Sequence, residues 1–279
     1  MKILSFYSEL SHPLQKKCIS FWYQSWKKKG FDPILIDPRH NFTRELAESH
    51  PYYSEFVKSI NEIHQEIMEV PCRPYGMACY LRWLAYDMYL EKRKCDELVF
   101  VSDYDVVNVN FNVNEAGQWL KGHENSLHFY HGCTPCLASG KLGLFTEFAK
   151  KIVSVSQENI ELLKYTIGPH YNDQEFIENN RSDLFQDDKF SMETGHHYNR
   201  LVFDFSATSE DFSKKTIHFS HAFCDAALNR LNVKRSHSEM NLYRTNFIKS
   251  FLSMLDSIQP TYIKSQEDYE PPVRKEKKV

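Results

Sequence analysis

The stretch Glu97-Leu-Val-Phe-Val-Ser-Asp-Tyr-Asp-Val-Val107 governs how the rest of the chain is read. Its apolar run is rich in β-branched and aromatic residues and reads as a buried strand. The run ends in two aspartates spaced two apart, Asp103 and Asp105. Open α/β sheets place their ligand crevice at the carboxyl ends of the strands, so the acidic pair is expected to face it. Spacing of two keeps both carboxylates on one side of an extended chain. Their hard oxygens suit Mg²⁺ or Mn²⁺. A cation held that way can clamp the oxygens of a diphosphate, which points to a nucleotide-linked substrate. The other reading is a pair of solvated turn residues. A single such triplet is close to what chance supplies among 37 acidic residues, so its weight depends on its surroundings.

Upstream of it, residues 2–7 form a short apolar strand and residues 12–29 a helix, with Pro13 in the first turn and Leu14, Cys18, Phe21 and Trp22 on one face. Gly30 is a helix stop. Residues 33–37 form a second strand, and this β-α-β opening predicts a parallel pair with a right-handed crossover. Phe56, Ile60, Ile63 and Ile67 recur at helical spacing across 53–69, and Pro71 and Pro74 close that helix. A third helix runs over about 75–94, with Met77, Leu81, Leu84, Ala85 and Met88 on one face and Arg82 off that stripe. Downstream, strands are expected over 126–131, 200–205 and 216–220. Helix is expected over 144–167 and around Met240, Tyr243, Phe247 and Phe251. Residues 168–200 read as loop with one short helix near Asp173. The expected organisation is one domain over 1–258, with a nucleotide-binding half over 1–107 and an acceptor half over 108–258. A charged, flexible tail is expected over 259–279.

Composition narrows the class. A chain of 279 residues with 42 % hydrophobic and 14 % aromatic content can bury a sizeable core. Net charge is −3, which leaves no basic footprint for a nucleic-acid partner. Mean hydropathy is −0.54, and no apolar run has the length of a membrane span. The start is too short and too soon polar for a signal peptide, so a cytoplasmic location is expected. Seven scattered cysteines fit reduced thiols. Cys133-Thr-Pro-Cys136 has metal or redox spacing, but no second cysteine pair completes a four-ligand site, so it reads as structural.

Four features in order resemble a nucleotide-sugar glycosyltransferase of the GT-A fold. They are the first strand ending in Ser5-Phe-Tyr-Ser8, Tyr75-Gly76 followed by Tyr80-Leu-Arg-Trp-Leu-Ala-Tyr-Asp87, the D-x-D stretch Phe100–Val107, and Thr216-Ile-His-Phe-Ser220. The resemblance covers about residues 2–222. It implies an α/β, Rossmann-like three-layer sandwich with a mixed, mostly parallel sheet. It also implies a nucleoside-diphosphate sugar donor, a UDP-sugar first, and Mn²⁺ or Mg²⁺ as cofactor. By that resemblance Asp105 is the main metal ligand, and Asp103 touches ribose or reaches metal through water. His218 completes the coordination, with His221 as the fallback. Arg82 contacts the nucleotide, and Phe6, Tyr7, Ser8 and Tyr104 lie along it. His131-Gly132 through Ser139-Gly140 passes near the donor sugar as a loop, and Gly132 would permit close backbone approach. Asn172-Asp173-Gln174 lies beside the acceptor, where Asp173 orients a hydroxyl or acts as base.

Each assignment has a plainer counterpart. Arg82 reads equally as a surface residue paired with Asp87, Phe6 as core, Asn172 and Asp173 as a helix N-cap, and His218 as one incidental histidine of 13. The chain departs from many relatives in carrying Lys94-Cys-Asp-Glu where they have Gly-Gly-x-Tyr, which leaves the subfamily open. Two rivals come from other classes. One is a metal-dependent phosphohydrolase or nucleotidyltransferase, and the other is a nucleotide-sugar-binding module without activity. The acceptor (glycan, lipid-linked sugar, protein or modified nucleic-acid base), the stereochemistry and the oligomeric state are left open.

Overall fold

The computed structural model describes residues 1–8, 15–38, 41–131, 135–166, 171–192, 202–204 and 215–219, together with scattered helical residues between 242 and 253. Its strands are β1 (Lys2–Phe6), β2 (Asp32–Ile36), β3 (Val99–Ser102), β4 (Val106–Asn108), β5 (Leu127–Phe129), β6 (Leu137–Gly140), β7 (Phe190–Met192), β8 (Val202–Asp204) and β9 (Thr216–His218). Its helices are α1 (Gln15–Lys28), α2 (Arg44–Ser49), α3 (Tyr53–Met68), α4 (Pro74–Lys92), α5 (Ala116–Leu120), α6 (Leu144–Glu158), α7 (Ile160–Thr166), α8 (Asp173–Asn179) and α9 (Arg181–Leu184).

The expected β-α-β opening is present: β1 lies parallel to both β2 and β3. The main sheet has the order β2-β1-β3-β6-β5-β7. β5 and β7 pair in parallel, while β6 runs antiparallel to both its neighbours, so the sheet is mixed and mostly parallel. Alternate residues of each strand serve opposite faces. Leu4, Val99, Val101 and Phe129 pack under α3, α4 and α6. Ile3, Phe100 and Leu137 pack under Trp22 and Trp26 of α1, with Phe31, Phe111 and Leu120. Helix, sheet and helix therefore form three layers. No helix among the described residues is long and apolar enough to cross a membrane.

Three expectations are corrected. The helix expected over 144–167 is two helices broken at Asn159, whose side-chain amide donates to Asn180 and Asp183 and ties the break to α9. Residues 137–140, expected within a loop, are the central strand β6. Ala138, Ser139 and Gly140 favour strand weakly, and ladders to β3 and β5 on either side impose it. Gly140 fits closely there, because a Cβ would crowd the Leu127 and Phe145 side chains at 3.1 Å. The region expected to be mostly loop over 168–200 holds α8, α9 and β7.

The late strands do not extend the main sheet. β4, β9 and β8 make a separate three-stranded sheet in which Val106 faces His218. Ile248 packs beneath it against Cys18, Phe21, Val107 and Ile217. Met240, Tyr243, Phe247 and Phe251 and the tail over 259–279 lie outside the described residues.

Candidate active site

The site forms where β3 leaves the main sheet and β4 enters the small one. Helix α1 holds both strands. Trp22 Nε1 donates to Ser102 Oγ at 2.8 Å, Trp26 Nε1 donates to the Val106 carbonyl at 2.9 Å, and the Asn108 amide donates to Ser25 Oγ at 3.1 Å. The turn between the strands is held by backbone hydrogen bonds, one within it and two from neighbouring segments. Asp103 N–H donates to the Cys136 carbonyl at 2.9 Å, Val106 N–H to the Asp103 carbonyl at 3.1 Å, and Phe219 N–H to the Asp105 carbonyl at 3.0 Å. Rigid elements thus fix the direction of both aspartates.

Pairing of β9 with β4 brings His218 to this turn. One ligand atom each from Asp103, Asp105 and His218 lie within 4.8 Å of one another, and His218 Nε2 is 3.5 Å from Asp105 Oδ1. Asp105 and His218 are buried, and Asp103 is half-buried. Two carboxylate oxygens and one imidazole nitrogen form a donor set suited to Mn²⁺ or Mg²⁺.

Arg82 faces this group from α4. Its Nη1 donates to Asp103 Oδ1. Its Nε donates to Asp173 Oδ2 at 2.8 Å, and Nη2 lies 2.5 Å from the same oxygen. Trp83 Nε1 donates to that oxygen too, at 2.9 Å. Arg82 is therefore neither exposed nor paired with Asp87. Asp87 instead accepts from the Gly143 and Thr146 amides at 2.8 and 2.6 Å, at the N-terminus of α6. Asp103, Asp105 and Asp173 cluster around one guanidinium. Burial and the neighbouring Asp105 push the Asp103 carboxyl up to about 6, although Arg82 pulls it down. Burial raises Asp173 as well, again against Arg82. Burial works against the Arg82 charge, yet Asp103 and Asp173 hold it well above its usual value.

Asn172 caps α8 through a reciprocal capping box with Glu175, and its Oδ1 accepts from the Gln174 amide at 2.8 Å. Asp173, buried at the first turn, is turned toward Arg82 and Trp83. At the end of β1, Tyr7 is 2 % exposed and meets Tyr104 edge-on at 6.0 Å. Phe6 is half-buried and meets Phe42 edge-on at 5.4 Å. Ser8 and His131 are half-buried, and Gly132 and His221 lie outside the described residues. Cys136 is buried and in no disulfide, consistent with a structural role, and Cys133 lies outside the described residues.

Three residues near the site were given no role in the sequence reading. Tyr75, Cys79 and Tyr86 share one face of α4 with Arg82. Tyr75, exposed at the start of α4, lies near Cys79, Tyr104, Asp103 and Asp105. Burial raises the Cys79 thiol, and Tyr86 reaches the Phe6 backbone. The signal was the spacing 75, 79, 82, 86, a polar stripe on a largely apolar helix.

No protein-family model matches the chain, and no curated protein sequence does. Solved structures similar to it include a glycosyltransferase involved in the glycosylation of the major capsid of PBCV-1, at 12 % identity and a TM-score of 0.44, covering 87 % of this chain and 98 % of that one. Mouse xyloside xylosyltransferase 1 in its apo form matches at 10 % identity and a TM-score of 0.44, over 78 % of this chain and 97 % of that one. The galactosyltransferase LgtC with donor and acceptor sugar analogs matches at 12 % identity and a TM-score of 0.41, over 78 % of this chain and 86 % of that one.

Proposed function

We propose that this chain is a metal-dependent glycosyltransferase of the GT-A type. It would move a sugar from a nucleoside-diphosphate donor, a UDP-sugar in the first instance, to an acceptor hydroxyl. The observation that carries this reading is the meeting of Asp103, Asp105 and His218 within 4.8 Å at the carboxyl end of β3, beside the Arg82 guanidinium.

Asp105, His218 and Asp103 would hold the cation, with His221 as the alternative ligand. The imidazole favours Mn²⁺ over Mg²⁺. When bound, the cation supplies a Lewis acid for the charge that develops on the leaving diphosphate. Arg82 offers a forked donor to the same diphosphate. Phe6, Tyr7, Ser8 and Tyr104 line the nucleoside end, with buried Tyr7 supporting the Tyr104 ring. His131 and Gly132 border the donor sugar. Asp173 acts as a positioning residue that holds Arg82, and with Asn172 and Gln174 it fixes the start of α8 on the acceptor side. The crowding of three carboxylates around one guanidinium supports the reading, because a divalent cation would relieve it.

The test is a panel of nucleotide sugars with Mn²⁺. The expected result is release of a nucleoside diphosphate from one donor, UDP first. Release of inorganic phosphate or of a monophosphate would assign a hydrolase instead. A rise in melting temperature with donor but no turnover would assign a binding module.

A further inference from the structure

The donor atoms of Arg82 divide between two carboxylates. Nε and Nη2 converge on Asp173 Oδ2, which Trp83 Nε1 also reaches. Asp173 opens α8 beside the Asn172–Glu175 capping box, so this side of the guanidinium is anchored. Nη1 turns the other way and donates to Asp103 Oδ1. Asp103 is also one of the three residues whose ligand atoms converge within 4.8 Å. A guanidinium and a divalent cation repel each other when both crowd one carboxylate, and a partly buried site screens that repulsion weakly.

We propose that Arg82 is a latch on Asp103, which withholds this carboxylate from a lone divalent cation and yields it when the cation arrives with a nucleoside diphosphate. The inference rests on the donor-site reading above. A bare cation brings no anion to replace Asp103 as the partner of Nη1, whereas a diphosphate does. The exchange needs only one hydrogen bond to move, from Asp103 to a phosphate oxygen, while Nε and Nη2 stay on Asp173. Cation and donor then load as a unit, and Arg82 is the positioning residue that couples them.

The test is calorimetric titration of the full chain with Mn²⁺, alone and with UDP. Arg82→Gln removes the competing charge. It should take up Mn²⁺ alone about tenfold more tightly than wild type, within the usual range of coupling between sites, and lose most of the tightening that UDP confers. Because that change strands a buried carboxylate, Arg82→Gln/Asp173→Asn is measured beside it, and thermal melting confirms that each is folded. Equal or weaker uptake of Mn²⁺ alone in a folded variant overturns the latch and leaves the donor site standing. Wild-type uptake of Mn²⁺ that UDP does not tighten also overturns it, with no variant needed. If wild type takes up no Mn²⁺ even with UDP, the donor-site reading and the latch fall together.

Discussion

Asp87 and Asp103 are two carboxylates on either side of one helix contact: α4 carries Asp87, and its Arg82 reaches out to Asp103. Asp87 is 3 % exposed and divides its oxygens between two backbone amides, Gly143 N–H and Thr146 N–H. Those donors are neutral and sit at a helix N-terminus, where a negative charge is favoured. Asp103 shares one guanidinium with Asp173 and has Asp105 for a neighbour. The first carboxylate is met by two neutral amides, whereas the second belongs to a group in which three carboxylates cluster around one guanidinium. Burial of an acidic residue therefore says little about function until its donors are counted.

The strongest way to break this comparison is at the open cluster. Asp105→Asn keeps the volume and removes a charge. Turnover, read as UDP release, should fall by about a thousandfold or more, the scale of losing a group that stabilises transition-state charge. Melting should stay near wild type. Near-normal turnover would sink the metal role. At the closed carboxylate the expectation reverses. Asp87→Ala takes the acceptor from two part-buried amides at the start of α6 and should cost about 1–3 kcal/mol in denaturant unfolding. The folded fraction should keep normal turnover. Loss of activity with full stability would mean that Asp87 belongs to the chemistry after all.

The smallest effect sharpens the contrast from the interior. His64 packs against Tyr80 and Tyr171, and His128 against His123 and Tyr130. Burial pushes each imidazole down to about 4. The unfolded chain takes up these protons near 6.5, whereas the folded chain refuses them until about 4. Stability is therefore full above 6.5 and is lost as pH falls through that window. Between pH 7 and 5 the loss should be about 1–2 kcal/mol per histidine, read from denaturant midpoints. His64→Phe should remove its share of the slope, and an unchanged slope would assign the pH dependence elsewhere.

What was legible in the sequence follows from how local each signal is. The parallel opening, α4 and the strand ending in Asp103 and Asp105 rest on apolar periodicity, and they stand where periodicity places them. β6 was not legible, because Leu137-Ala-Ser-Gly140 has little strand propensity and is a strand only through its neighbours. Placing Arg82 off the apolar stripe was sound, but its bridge from Asp103 to Asp173 depends on how α8 docks beside α4, which no local pattern encodes. The same holds for Asp87, whose partners lie on another helix. Tyr75 and Cys79 could have been found, since their spacing to Arg82 is helical.

The small sheet has a consequence for the order of events during synthesis. Domains take shape from the N-terminus as the chain emerges, and pairings of high sequence separation close late. β1, β3, α1 and α4 come first and fix the aspartate turn, whereas His218 rides on β9, near the end of the described residues. A nascent chain can thus hold its scaffold, its tryptophan braces and its acidic turn while the third ligand is still unmade. The three-residue cluster closes only when β9 reaches β4, so its completion comes after the scaffold that carries its aspartates.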